Sequence, residues 1–178
     1  MPEDFAFAVK LPKAITHEAR LVSVGEPLDR FLEETDGLGT KRGPILIQLP
    51  PSLVFDASIA DGFFALLRDR TANALVCEPR HESWFTAEAD ALLVQHRVAR
   101  VAADPAPVAG AEAPGGWAGL RYTRLHGSPE MYRSAYDAKT VARHAQGATD
   151  AGVESWMIFD NTMTGAATLN ALEMRGLV

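Results

Sequence analysis

Cysteine is almost missing from this chain: Cys77 is the only one among 178 residues. No internal disulfide can form, and a cysteine inside the apolar run Leu75-Val76-Cys77 reads as a small buried side chain. The opening MPEDFAF carries neither a basic segment nor a long apolar stretch, so no secretory signal is expected. Long hydrophobic runs are lacking too. The most apolar neighbourhood, Ile45 to Phe55, is interrupted by Gln48, Pro50 and Pro51 and cannot span a bilayer. A soluble, cytoplasmic protein with no membrane partner is the expectation. Positive charge is in deficit, with 17 basic against 23 acidic residues and a net charge of -6, which weighs against general affinity for nucleic-acid backbones. Several signature motifs are absent as well. No GxGxxG or GxxxxGKS/T marks a phosphate loop, no HxH or HExxH spacing fixes a metal, and no GxSxG elbow presents a nucleophilic serine.

What the chain does have is a recurring figure, most explicit in LVCEPRHESWF, residues 75–85. An apolar run stops abruptly on Glu78, Arg80 and His81, as a buried strand does when it delivers ionisable groups to a rim. The same figure ends Phe5 to Val9 on Lys10, Ile45 to Ile47 on Gln48, and Val98 to Ala103 on Asp104. It also ends Tyr122 to Leu125 on His126 and Trp156 to Phe159 on Asp160. Between these runs lie helical patterns. One starts near Glu26 with Pro27 in its first turn, and a second is capped by Asp56 and buries Ile59, Phe63, Phe64 and Leu67. A third is capped by Ser83 or Thr86, a weak Ala-rich one by Asp137, and a closing helix covers Thr164 to Met174. His96 and His144 fall on helices as surface residues. The segment 105–119, PAPVAGAEAPGGWAG, has no periodicity and reads as a long loop or a lid.

Six strands separated mostly by helices, with runs too apolar for a one-sided sheet, argue for parallel βα units. A doubly wound sheet places its ligand beside a glycine-rich phosphate loop, which is missing, whereas a TIM-type (β/α) barrel gathers catalytic groups from many strand ends around one mouth. The strand-end groups favour the barrel, with about six parallel strands. A whole barrel takes about 250 residues and a βα unit about 30, so the chain reads as incomplete at its N-terminus by about two units.

Five ordered motifs, FAFAVKLPKAITHEARL, GPILIQLPPSLVFD, CEPRHESWF, YTRLHGS and FDNTMTGAATLNALEM, resemble the YecE-like family, a domain of unknown function with a TIM-barrel fold. The resemblance spans nearly the whole chain and implies a single barrel domain over 1–178. Family members begin with two further βα units, a glycine-rich first strand and a second strand ending in Glu and Asn, which this sequence does not contain. The family usually shows Asn-Asn-Asp where this chain reads Asp160-Asn161-Thr162, so chemistry that needs the missing acidic group is in question here.

Strand parity puts Glu78 with Arg80 and Arg124 with His126, while Arg121 falls on the opposite face from Arg124. Lys10, Gln48, Glu78, Asp104, His126 and Asp160 are therefore expected to converge on one cavity. Glu78, His126 and Asp160 are the candidate catalytic groups, able to act as acid and base or to hold a divalent metal. Lys10, Gln48, Arg80, His81, Arg124, Tyr136 and Asn161 are the candidate substrate-binding groups, the arginines suited to gripping a carboxylate or phosphate in a small anionic substrate. Trp84 reads as packing against the rim, and Tyr132 with Tyr136 as an aromatic wall. The competing reading is a buried ion-pair network in which Glu78 only neutralises Arg80, Arg124 or Lys10. Three functions fit: a hydrolase or lyase acting on a small anionic or phosphorylated substrate, a metal-dependent protein that processes or binds nucleic acid, or an inactive truncated remnant. Unpaired edges on the first and last strands add an expectation of self-association.

Overall fold

A computed structural model describes residues 2–3, 5–149 and 152–178. The strands are β1 (Phe7–Lys10), β2 (Arg42–Gln48), β3 (Leu75–Glu78), β4 (Val98–Arg100), β5 (Ala102–Asp104), β6 (Gly115–Gly116), β7 (Arg121–Leu125) and β8 (Ser155–Phe159). The α-helices are α1 (Gly25–Asp36), α2 (Ala57–Arg70), α3 (Ala87–Gln95), α4 (Ala138–Thr149) and α5 (Ala166–Arg175). Parallel pairing runs β1-β2-β3-β4 in one sheet and β5-β7-β8 in a second, with β6 antiparallel to the outer side of β4.

The described residues thus form eight strands where the sequence pattern predicts six. The expected fourth strand, Val98 to Ala103, breaks at Val101, whose N–H donates to the Cys77 carbonyl on β3 at 2.8 Å. Below the break β4 takes β6 as its outer neighbour, and above it β5 takes β7. The extra strand β6 arises because Gly115 and Gly116 lie against β4 where no side chain would fit. A Cβ on Gly116, whose φ is +63°, would stand 2.6 Å from the Val98 carbonyl oxygen. The expected loop 105–119 is therefore tied to the sheet at this point, and Asp90 of α3 accepts from the Gly116 N–H at 2.8 Å.

The six longer runs form an arc of parallel strands, and no pairing among the described residues joins β1 to β8. Continuous apolar runs are explained by burial on both faces. Outward, Ile45, Ile47, Leu75, Cys77 and Val98 pack with Leu28, Phe31, Phe63, Phe64, Leu67 and Leu93 from the helices. Inward, Leu46, Val76, Ala99, Val101 and Tyr122 form a separate cluster with Trp156 and Ile158 against it. Trp156 reaches across the open side from β8, so that a Cβ on Gly43 of β2 would lie 2.9 Å from its indole.

Helix starts follow the expected side chains where those can accept. Asp56 accepts from the Ile59 N–H at 3.0 Å, Thr86 from Ala89 at 3.3 Å and Asp137 from Thr140 at 2.8 Å. Ser83 instead accepts from the Phe55 N–H, inside a short 3-10 turn. Ile59 is exposed rather than buried, since it follows the cap on the solvent side. No helix among the described residues is long and apolar enough to cross a membrane.

Candidate site at the strand ends

The inward register of β2, β3, β5, β7 and β8 decides what reaches the mouth. Gln48 pairs with Glu78, Ala103 with Arg124, and Arg124 with Ile158, so Glu78 and Arg124 top the inner cluster while His126 and Asp160 follow just beyond the strands. There the side chains join in one network. Arg80 donates from Nε and Nη2 to Glu78 Oε1 at 3.0 and 2.8 Å. Arg124 donates from Nη1 to Glu78 Oε2 and from Nη2 to Asp160 Oδ2, both at 2.6 Å. His126 Nδ1 lies 3.0 Å from the same Asp160 oxygen, and its Nε2 lies 3.8 Å from Glu78 Oε1. With its amide oxygen turned toward Arg80, Gln48 accepts from the guanidinium Nε at 3.2 Å.

Glu78 and His126 are buried, whereas Asp160 and Arg80 keep 31% and 23% of their side chains exposed and form the accessible surface of the network. Burial alone would lower the Arg124 pKa, but the Glu78 carboxylate and then Asp160 outweigh it and raise the value, so the guanidinium stays charged. The hydrogen bond from His126, helped by Arg124 and opposed by burial, holds the Asp160 carboxyl below its ordinary range. Underneath, Tyr122 is stacked near Trp156 and burial pushes its phenol up to about 12. Tyr132 stands edge-on to the His126 ring at 5.6 Å, with a left-handed φ of +66°. Of the two tyrosines expected as an aromatic wall, Tyr132 is the one that the 127–136 loop brings against His126.

The remaining expected site residues are distributed differently. Lys10 tops β1, exposed, with no hydrogen bond or ion pair among the described residues. His81 accepts from the Ser83 N–H through Nδ1 and caps the 3-10 turn holding Trp84, whose Nε1 donates to the Leu53 carbonyl at 2.9 Å. Tyr136 is a buried brace: its hydroxyl accepts from the Gly127 N–H and donates to the Asp104 carbonyl, both at 2.9 Å. Asn161 is likewise internal, donating from Nδ2 to Ser134 O at 2.9 Å and Asn170 Oδ1 at 3.0 Å. Asp104 does not join the mouth. Its neighbour Ala103 holds the inward position beside Arg124, so Asp104 turns outward, 3.8 Å from His144 Nε2 on α4. His144 and His96 are mostly covered rather than on the surface; His96 bonds to Asp61 at 2.7 Å.

As to a metal, no group of three or more His, Cys, Asp or Glu side chains among the described residues is gathered so as to hold one. Both Glu78 oxygens already accept from guanidinium groups. A buried carboxylate, Glu78, and a partly exposed one, Asp160, are interlocked with two arginines and a histidine; the buried part is costly to desolvate, and such clusters concentrate at functional sites.

Parallel strands flanked by helices, with an ionisable network at their C-terminal ends, define an α/β protein of strand-end-site type. The chain belongs to the DUF72 family: the family description "Protein of unknown function DUF72" applies to residues 1–178. It is similar to the crystal structure of a DUF72 family protein from Thermotoga maritima, with 24% identity and a TM-score of 0.80, covering 99% of this chain and 75% of that one. It is similar also to a DUF72 family protein from Enterococcus faecalis, with 21% identity and a TM-score of 0.79, covering 99% of this chain and 79% of that one. No curated protein matches the chain.

Proposed function

We propose that this chain is the greater part of a TIM-type barrel of the YecE-like kind, acting in the cytoplasm as an enzyme on a small anionic substrate at its strand-end mouth. The single observation that carries the reading is Asp160, which accepts from His126 at 3.0 Å and from Arg124 at 2.6 Å while remaining partly open to solvent. A carboxylate so held fixes the imidazole orientation, leaving Nε2 to give or take a proton. Arg124 braces Glu78 and Asp160 against each other. Arg80 and Lys10 meet the anion, and Tyr132 must swing from the His126 ring for substrate to approach. Hydrolase or lyase chemistry fits this set, with Glu78 or Asp160 as base and His126 as acid.

The test is a turnover screen of small phosphate esters and hydroxy- and keto-carboxylates, repeated with His126→Asn. Loss of a positioned acid-base group lowers rates by roughly 10²–10⁴. Turnover that falls by at least about a hundredfold in His126→Asn supports the reading. No turnover across the screen, or turnover indifferent to His126→Asn, overturns it.

A further inference from the structure

Inside the mouth the formal charges balance: Arg80 and Arg124 are matched by Glu78 and Asp160. These arginines therefore offer an anion little net attraction. If the ligand is anionic, as the functional reading above holds and on which this inference rests, uncompensated positive charge is needed nearby. It lies at the end of β1 and on the connection that follows.

Lys10 and Lys13 are exposed, and neither has a hydrogen bond or ion pair among the described residues. The chain between and beyond them is fixed. Leu11 donates its N–H to the Leu46 carbonyl at 3.0 Å, and Leu11, Ile15 and Thr16 are buried. The turn Ala14–Glu18 then presents His17, whose Nδ1 lies 2.8 Å from the Thr16 hydroxyl, so the ring is held with Nε2 unengaged. His17 is felt electrostatically by Lys13, Lys10 and Arg80, with Glu18 the one opposing charge; burial first and then these cations lower its pKa. Arg80 also bears on Asp160, so it is the joint between this rim and the acid-base network.

We propose that Lys10, Lys13 and His17, with the outer side of Arg80, form a subsite for the phosphate of a small phosphorylated ligand. Two ammonium groups and an imidazole supply donors from several directions, which suits a tetrahedral dianion better than a planar carboxylate. Their charge is not spent on a protein partner. A bound phosphate here leaves the rest of the ligand leaning over Arg80 toward Asp160.

The experiment uses the full chain and three probes at constant ionic strength: inorganic phosphate, glycerol phosphate and acetate. Binding is followed by calorimetry and by the NMR titration of His17. Both phosphates are expected to bind and acetate to bind at least tenfold more weakly. The His17 midpoint should rise on phosphate binding, because the dianion offsets Lys10, Lys13 and Arg80. Lys10→Ala/Lys13→Ala should weaken phosphate binding at least tenfold, with the fold intact because both side chains are exposed. Glycerol phosphate binding more tightly than inorganic phosphate marks an ester ligand, and the reverse marks free phosphate; either supports the subsite. No phosphate binding, equal binding of acetate, or no change in the double variant overturns it. Phosphate binding that needs Lys10 and Lys13 in a chain without turnover sinks the enzyme reading and leaves the subsite. Turnover that needs His126 in a chain that ignores phosphate does the opposite.

Discussion

Glu78 is the hinge of the strand-end network, because each of its oxygens accepts from a different arginine and almost none of it meets solvent. Replacing it with alanine takes a carboxylate partner from two guanidinium groups, one of them largely buried. Glu78→Ala is expected to cost about 3–5 kcal/mol in urea unfolding, and adding Arg124→Met should recover part of that loss. A change below about 1 kcal/mol, the range of an exposed pair, would show that the network is not buried in solution. Asp160 governs the acid response. Its folded pKa lies below the unfolded value of about 3.9, so its stabilisation is complete above that pH. It is lost as pH falls through the folded value, since only then does the folded state take up the proton. The urea midpoint of the wild-type chain should drop below about pH 4 more steeply than that of Asp160→Asn; parallel profiles would contradict the assignment. Much of this was legible at the level of single residues, since parity alone put Glu78 with Arg80 and Arg124 with His126. Their mutual pairing is not legible there, because charge complementarity along a sequence does not say which ions touch.

Among the elements, β8 and β2 make the contact that the strand pattern does not announce. Trp156 fills the open side of the arc against Gly43, where a Cβ would sit 2.9 Å from the indole and 3.1 Å from the Phe7 carbonyl oxygen. Gly43→Ala should therefore destabilise by roughly 1–3 kcal/mol, the usual range for overpacking, in thermal or urea unfolding. Trp156→Leu in the same chain should relieve much of the clash; a neutral Gly43→Ala would mean that Trp156 is not seated there. Caps at Asp56, Thr86 and Asp137 were readable because a cap is a bond within a few residues of chain. The break at Val101 was not, since it arises where β4 turns from β6 to β5's partner β7, strands that are remote in sequence. The same break accounts for Asp104: once Ala103 holds the inward place beside Arg124, the next side chain points to α4 and His144.

At the scale of the molecule, the arc of parallel strands ends on β1 and β8. β1 and β8 have no outer strand partner among the described residues, and α5 exposes Leu169 at 71% and Leu172 at 59%. Unpaired edges beside apolar side chains are templates for association. We expect this chain in isolation to self-associate in a concentration-dependent way by sedimentation, or else to unfold at modest temperature. A monodisperse, heat-resistant monomer would contradict that expectation.

The sequence by itself determined where β1, β2, β3, β7 and β8 end, that Glu78 shares a face with Arg80 and Arg124 with His126, and where three helices begin, because these follow from periodicity and bonds between near neighbours. It also carried the family resemblance in its ordered motifs. Only the tertiary structure decided that Asp160 serves both Arg124 and His126, that Tyr136 and Asn161 brace loops, and that Trp156 covers the arc at Gly43. Those outcomes depend on distances between segments dozens of residues apart, and such distances are set by strand register and packing rather than by any local pattern.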